Sequence, residues 1–113
     1  MKVSSLIPSP TFVGAFDYRT VASLPESPGC YVLANASSDI IYLGQAVNLR
    51  SRLRQHFDAA RHREMTPLGR ASLLSVLYIE APLSLSAHER GWLNQCEICD
   101  GVLPPLNKIH APV

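Results

Sequence analysis

The sequence predicts a small α+β domain with a three-stranded, mainly antiparallel sheet flanked by helices. Three short apolar runs, at residues 30–34, 40–43 and 73–80, are rich in the β-branched and aromatic side chains typical of strands. Two longer stretches, at 49–61 and 86–99, carry helical periodicity and capping signals. The order β-β-α-(α)-β-α gives too few strands for a doubly wound sheet, so helices packed on a small sheet are expected.

A stretch rich in proline and serine opens the chain and is interpreted as an N-terminal arm over residues 1–23. A helical turn at 21–24 is expected to end at Pro25. The domain proper is predicted over residues 24–113. With 113 residues in all, the chain is long enough for one hydrophobic core but not for two.

The first two strands are predicted to form a hairpin around a polar loop. If the loop has four residues, Ala34 pairs with Asp39 and Tyr31 falls opposite Tyr42, with the two Cβ atoms about 5 Å apart on one face. A loop one residue longer would send the two phenols to opposite faces. Cross-strand aromatic pairs also stabilise ordinary sheets, so the pair alone does not establish a functional site.

The helices have recognisable starts and ends. Asn48 can cap the helix that follows the hairpin. A short helix is predicted from Pro67, with Thr66 as its cap. The last helix is predicted to run from Ser86 to about Cys99, with Asp100-Gly101 ending it.

The net charge of +1 is nearly neutral, so bulk charge indicates no nucleic-acid partner. The distribution is uneven, because five of the eight arginines lie between Arg50 and Arg63, with Asp58 as the only acid inside that span. Such a patch is either a footprint for phosphate groups or a solvated helix face. No apolar run is long enough for a signal peptide or a membrane span. Three cysteines, an odd number, argue against a secreted disulfide framework, so a cytoplasmic location is predicted.

At about 100° per residue, the helix predicted at 49–61 has an apolar stripe with a basic row along each edge. One row consists of Arg52, His56 and Arg63. The other row consists of Arg50, Arg54 and Arg61. One of the two must lie close to the sheet, where an arginine is a fixed, ionised group suited to a phosphate oxygen. The alternative is a side chain whose stem packs on the core while its charge reaches water.

Glu89 has two competing explanations. The spacing from Ser86 to Glu89 fits a capping box, in which the glutamate reaches back to the start of its helix. Glu89 also lies on the apolar stripe of that helix, where an unpaired carboxylate is costly. A divalent cation such as Mg²⁺ would compensate that charge, because hard cations take carboxylate oxygens. Cys96 and Cys99 have metal-like spacing, but no second pair stands at zinc distance, so both are expected to be buried core residues.

Several of these residues resemble a known family. Gly29-Cys30-Tyr31 and Tyr42-Leu43-Gly44 are similar to the two half-motifs that name the GIY-YIG nucleases. The turn and helix after Gly44, Glu89 followed by Trp92, and Asn107 also follow that family's layout. The resemblance covers about residues 24–108 and is especially close to the domain that opens the nucleotide-excision-repair incision subunit. It suggests a stand-alone nuclease domain, with apolar residues replacing two isoleucines of the motifs.

The resemblance implies a metal-dependent endonuclease that hydrolyses DNA phosphodiesters by direct water attack, leaving 5′-phosphate and 3′-hydroxyl ends. Glu89 would be the metal ligand, holding one Mg²⁺ or Mn²⁺. Arg52 would stabilise the charge on the transition state. Tyr31 would accept or relay the proton of the attacking water, and Tyr42 would orient the water or the phosphate.

Two further catalytic positions follow from the same resemblance. His56 would orient groups or shuttle protons, and Asn107 would support the site. DNA contacts are expected from the turn and the basic helix, through Gly44, Arg50, Arg54, Arg61 and Arg63.

A second interpretation is a nucleic-acid-binding or regulatory module on the same scaffold that does not cleave. The near-neutral charge predicts modest affinity for free duplex DNA, so specificity is expected to come from a homodimer, from a protein partner or from a structured DNA substrate such as a flap or branch. The N-terminal arm is left with three roles: packing on its own core, pairing with another copy, or touching DNA.

Overall fold

The computed structural model describes residues 1–58 and 66–110, which contain a four-stranded antiparallel sheet and four α-helices. In chain order the strands are β1 (Phe12–Ala15), β2 (Gly29–Ala34), β3 (Ile40–Ala46) and β4 (Leu73–Tyr78). They lie in the order β1-β4-β2-β3, and each neighbouring pair is antiparallel. The α+β class is confirmed, but the described residues form four strands where three were predicted.

The additional strand is β1, which the sequence does not predict. Four residues are too few to display a two-residue alternation, and Gly14 in the middle disfavours a strand locally. The strand is specified by tertiary pairing, because Phe12 lies opposite Val76 and Ala15 lies opposite Leu73.

The helices are α1 (Tyr18–Ser23), α2 (Leu49–Asp58), α3 (Leu85–Asp100) and α4 (Pro105–His110). The predicted cap of α2 is confirmed, because the Asn48 side chain accepts a hydrogen bond from the Ser51 amide at 3.0 Å. The predicted end of α3 is also confirmed, since Gly101 follows it with a left-handed φ of 76°.

The short helix predicted after Thr66 is wrong. Residues 66–69 form a tight turn, in which the Thr66 hydroxyl donates to the Gly69 carbonyl at 2.6 Å. Gly69 has a φ of 98°, which no helical residue adopts. Pro105 occupies the first position of α4, where its missing N–H costs nothing.

The β2–β3 hairpin has a register that differs by two residues from the prediction. Ala34 pairs with Ile40, which leaves a loop of residues 35–39, and a bulge then shifts the pairing so that Tyr31 lies opposite Gly44. The longer loop alone would have put the two tyrosines on opposite faces, and the bulge reverses that change. Tyr31 and Tyr42 therefore share a face, as diagonal neighbours instead of direct partners.

The sheet is covered on both faces, and β2 is buried along its whole length. On one face, Tyr31 and Leu33 pack with residues of α1 and α2, including Val21 and Leu53. On the other face, side chains of β2 pack with α3. That second cluster includes Cys30, Val32, Ala34, Leu85, Trp92 and Cys96.

The first 23 residues pack on this core. Leu6 and Val21 are buried, and the Trp92 indole donates to the Pro8 carbonyl at 3.0 Å. Of the three roles left open for this stretch, packing on its own domain is the one observed. Within residues 1–58 and 66–110, no helix is both long and apolar enough to cross a bilayer.

Candidate active site

The centre of the site is the phenol of Tyr31, which is fully buried between β3 and α2. Its ring lies against the backbone of Gly44, so closely that a β-carbon at position 44 would overlap the Tyr31 ring and hydroxyl. The glycine is therefore required by steric contact with the phenol. Its φ is not in the left-handed range.

His56 is the direct partner of that phenol. The Tyr31 hydroxyl and His56 Nε2 are 2.5 Å apart, and both side chains are buried. Tyr42 completes an aromatic triangle, with ring centroids 6.1 Å from Tyr31 and 5.3 Å from His56. Three proton-carrying rings thus meet on the α2 face of the sheet.

Arg52 joins these rings from the previous turn of α2. Its guanidinium lies close enough to the hydroxyls of Tyr31 and Tyr42 to interact electrostatically with both. Partial burial acts to lower the pKa of Arg52, but the two phenols outweigh it and raise that pKa, so the arginine stays charged. Burial raises the pKa of Tyr31, and the nearby Tyr42 adds to the effect, while Arg52 opposes it. The Tyr31 phenol is therefore protonated at neutral pH.

Glu89 approaches the same site from the first turns of α3. Burial raises the pKa of its carboxyl, whereas Arg52, a hydrogen bond from Gln45 and Arg90 act to lower it. The capping-box explanation is wrong, because α3 begins at Leu85 and its N-cap is Ser84, which makes no side-chain capping bond. Glu89 thus interacts with Arg52 and Gln45 and does not cap its own helix.

Gln45 is a site residue that sequence analysis misses. It lies on β3 next to Gly44, its side-chain amide donates to the Ser86 hydroxyl at 3.1 Å, and it acts to lower the pKa of Glu89. The available signal was its position directly after the glycine, but a single glutamine has no distinctive spacing. Its effect is to link β3 to the helix that carries the carboxylate.

Asn107 lies near the site without pointing a free amide into it. Its Oδ1 accepts from the Leu43 amide and its Nδ2 donates to the Leu43 carbonyl, both at 2.8 Å. Both functions of this buried side chain are used on the backbone of β3, between Tyr42 and Gly44. Its position therefore suits support of the strand that carries the site.

The two basic rows of α2 have different surroundings. Arg52 and His56 face the tyrosines, whereas Arg50 is tied to the Leu24 carbonyl at 2.6 Å and to Glu26 at 3.1 Å. The Arg54 guanidinium carbon lies 5.9 Å from the centre of the Tyr18 ring. Arg61 and Arg63, the last members of the two rows, lie outside the described residues.

The cysteines do not form a metal site in the described part of the chain. Cys96 is buried, but Cys99 is exposed, which corrects the expectation that both lie in the core. The reason is that residues 97–100, the last turn of α3, are all exposed, so none of the described elements covers this end of the helix. Burial raises the pKa of Cys96 to about 11 and that of Cys30 to about 12, so both buried thiols are protonated and inert.

The donor set suits a hard cation. Across residues 1–58 and 66–110, no group of three or more His, Cys, Asp and Glu side chains is placed to hold a metal ion. One half-buried carboxylate, Glu89, with an arginine and two phenols near it, matches Mg²⁺, which binds through one or two carboxylates together with water and phosphate oxygens.

Comparison with known proteins gives a consistent result. Residues 27–81 match the model of the UvrC-like GIY-YIG domain. The UvrABC system protein C of Chlorobium phaeobacteroides is 51% identical over 45 residues, which are 40% of this chain and 7% of that protein. The corresponding protein of Anaeromyxobacter dehalogenans is 44% identical over 43 residues, 38% of this chain and 6% of the relative. The matched segment is thus a small part of these relatives.

Solved structures share the fold. The GIY-YIG N-terminal endonuclease domain of UvrC from Thermotoga maritima, bound to magnesium as its catalytic divalent cation, superposes with a TM-score of 0.53 at 20% identity. That match covers 68% of this chain and 85% of the other. A tyrosine-to-phenylalanine variant of the same domain gives a TM-score of 0.56 at 19% identity, with the same coverage. Over residues 27–81 the chain therefore matches the UvrC-like GIY-YIG domain in sequence, and its fold is the one that the solved GIY-YIG domains share.

Proposed function

We propose that this protein is a metal-dependent endonuclease that hydrolyses DNA phosphodiester bonds. The observation that carries the proposal is the convergence of Tyr31, Tyr42, His56 and Arg52 on one face of the sheet, with the Glu89 carboxylate close enough to influence their charges. Burying so many polar groups costs stability, which a purely structural sheet face would avoid. The kinship with UvrC-like domains supports the same reaction class.

In this proposal Glu89 holds one Mg²⁺ or Mn²⁺. When bound, the cation would neutralise charge on the scissile phosphate and on the leaving oxygen. Gln45, whose side chain interacts with that of Glu89, would help to orient the carboxylate towards the cation.

Arg52 has two tasks that follow from its position. In the free protein its charge interacts with both phenols, and the hydroxyl of Tyr31 belongs to a fully buried side chain. When a phosphate enters, the guanidinium turns part of its donor set to the phosphate oxygens and stabilises the charge that develops there.

Proton transfer is assigned to the Tyr31–His56 pair. A buried phenol with a raised pKa is a poor base alone, so Tyr31 takes the proton of the water as it passes its own proton to His56 Nε2. Tyr42, which is only partly buried, orients the water or the phosphate. Direct attack leaves a 5′-phosphate and a 3′-hydroxyl, and no covalent enzyme intermediate is formed.

The remaining assignments are supporting ones. Asn107 positions β3, while Gly44 and the arginines at 50, 54, 61 and 63 are proposed to contact DNA. A homodimer or a protein partner that supplies specificity, and a cytoplasmic location, belong to the same proposal.

The direct test is nicking of supercoiled plasmid with Mg²⁺, with Mn²⁺ and with EDTA. We expect cleavage only with the metals, and a loss on the order of 10³-fold in Glu89→Gln. The matched control is Glu97→Gln, which removes an exposed carboxylate from the same helix. If the wild type bound DNA in EDTA but cut it under no metal condition, the non-cleaving module would be the correct function.

A further inference from the structure

An exposed aromatic ring, which the proposed reaction does not use, lies beside α2 on the side opposite Arg52 and His56. Tyr18 is the first residue of α1, and 61% of its surface is exposed. It lies outside the segment that matches the family model, residues 27–81. A large exposed ring on a small domain favours a contact with something other than its own core.

Tyr18 is held in place from within the domain. Phe57 of α2 packs against it edge-on, at 6.5 Å between ring centres, and Phe16 packs against Phe57 at 5.4 Å. This aromatic stack connects the exposed ring to the core beneath α1 and α2. The ring is therefore a supported surface, which loses little entropy when a flat ligand stacks on it.

Arg54 adds a cation to the same surface. Its guanidinium lies over the Tyr18 ring, and the side chain is exposed. None of the ion pairs in the described ranges involves Arg54, whereas the neighbouring Arg50 is already paired with Glu26. A positive charge beside a supported aromatic ring is the combination that binds unpaired nucleotides, through base stacking and a phosphate contact.

The position of this surface relative to the active site is set by helix geometry. Arg52 and Arg54 are about 200° apart around α2. The path between them crosses the solvent face of the helix, which carries the exposed polar residues Ser51 and Gln55. Because a helix with its side chains is about 10 Å across, a strand whose phosphate lies at Arg52 reaches Tyr18 within a few nucleotides.

A groove of about 460 Å³ runs along this same face, lined by Asn48, Ser51, Arg54 and Gln55. It also contains the carboxylates of Glu26 and Asp58. Arg50 compensates the first of these, but Asp58 disfavours a second phosphate at the far end. The groove thus suits a polar strand that makes one phosphate contact at Arg54, in preference to a duplex with many.

We propose that Tyr18 and Arg54 form a stacking site for an unpaired base of the DNA substrate, located a few nucleotides from the scissile phosphate. The site gives the domain a preference for substrates in which single-stranded DNA adjoins a duplex. The inference rests on the proposed function for its choice of DNA. It adds a substrate class and a residue, Tyr18, that the reaction does not require.

The test measures binding without cleavage, in the Glu89→Gln background with EDTA. The probes are a fluorescently labelled blunt duplex and the same duplex with a single-stranded extension. We expect Tyr18→Ala to weaken binding of the extended probe by about 5- to 100-fold, the range of one base–aromatic stack. Tyr18→Phe, which keeps the ring, should bind like the parent, and the blunt duplex should be little affected by either change.

The salt dependence of DNA affinity distinguishes the phosphate contact of Arg54 from the base contact of Tyr18. Arg54→Ala should reduce the slope of log affinity against log salt by about one, because it removes a phosphate contact, whereas Tyr18→Ala should leave the slope unchanged. Both side chains are exposed, so melting temperatures should match the parent and exclude misfolding.

The proposal is overturned if Tyr18→Ala binds the extended probe as tightly as Tyr18→Phe. It is overturned equally if Tyr18→Ala weakens binding of the blunt duplex by the same factor. Because no cleavage is measured, a protein that bound the extension through Tyr18 but never cut DNA would refute the proposed function and leave the stacking site standing.

Discussion

The two faces of strand β2 are equally buried but chemically opposite. Tyr31 and Val32 are adjacent, and neither exposes any surface. Tyr31 meets a histidine, an arginine and a second phenol on the α2 face, whereas Val32 meets the apolar residues of α3 on the other. The α3 face stabilises the domain by burying apolar surface. The α2 face desolvates polar groups at a cost in stability, which is the arrangement that the proposed reaction requires.

The contrast between the α2 face and the α3 face is tested most strongly by one substitution on each face of β2. Tyr31→Phe should lower the nicking rate by about 10²-fold or more, since it removes the proton relay. Its free energy of unfolding should change by only about 1 kcal/mol, because the ring stays in place. Nicking assays and urea denaturation measure the two effects.

Val32→Ala is the matched control and should lower stability while leaving the nicking rate unchanged. It leaves a cavity beside α3, so the free energy of unfolding should fall by about 1–3 kcal/mol. The nicking rate per folded molecule should stay at the wild-type level. If Val32→Ala lost activity while folded, or Tyr31→Phe kept it, the division of labour between the two faces would be incorrect.

Substitution of Asn107 should have an intermediate effect on both the nicking rate and the free energy of unfolding. Asn107→Ala leaves the amide and the carbonyl of Leu43 without their buried partner, so unfolding should become easier by about 1–3 kcal/mol. Hydrogen exchange at the Leu43 amide should accelerate. Activity should fall by about 10-fold, an order of magnitude less than in Tyr31→Phe, because the catalytic groups remain.

Asn107→Asp keeps an acceptor for the Leu43 amide but loses the donor to its carbonyl. It should resemble the alanine variant in stability. Full activity combined with slow exchange in Asn107→Ala would show that β3 does not depend on this contact.

The smallest expected effect is a pH dependence of stability without metal. Burial raises the pKa of Glu89 in the folded protein above its ordinary value of 4.5. The folded state therefore binds this proton more tightly than the unfolded state, and stability is lost as pH rises through the folded pKa. In EDTA, the melting temperature of Glu89→Gln minus that of the wild type should increase from pH 4 to pH 8.

Adding Mg²⁺ should raise the melting temperature of the wild type and narrow that difference, because the cation binds the ionised carboxylate of the folded state. A difference that stayed constant with pH, or a Gln variant that Mg²⁺ stabilised equally, would count against Glu89 as the buried metal ligand.

The sequence predicts the clustering of the candidate catalytic residues better than it predicts the geometry of that cluster. Tyr31, Tyr42, Arg52 and His56 lie within one short stretch, and the hairpin and helix that carry them have strong local signals, including the Asn48 cap. The register of the β2–β3 hairpin is harder to predict from the sequence, because it depends on a five-residue loop and a bulge that are set by tertiary packing. Local propensity does not report either of them.

Other features could not be predicted from the sequence for similar reasons. β1 exists through its pairing with β4, and the turn at Thr66 depends on the positive φ of Gly69. Gln45 acquires its role only when α3 brings Ser86 and Glu89 beside it. In each case the deciding contact joins residues that are distant in the chain or specific in backbone conformation.

The double hydrogen bond from Asn107 to Leu43 has a consequence for assembly. β3 lies at one end of the strand order, where unpaired backbone groups can recruit a strand from another molecule. The Asn107 carboxamide imitates such a strand and occupies the N–H and C=O of Leu43 from within the same chain. A second copy that extended the sheet at β3 would first have to displace it, so this contact also guards the domain against edge-to-edge aggregation beside its active site.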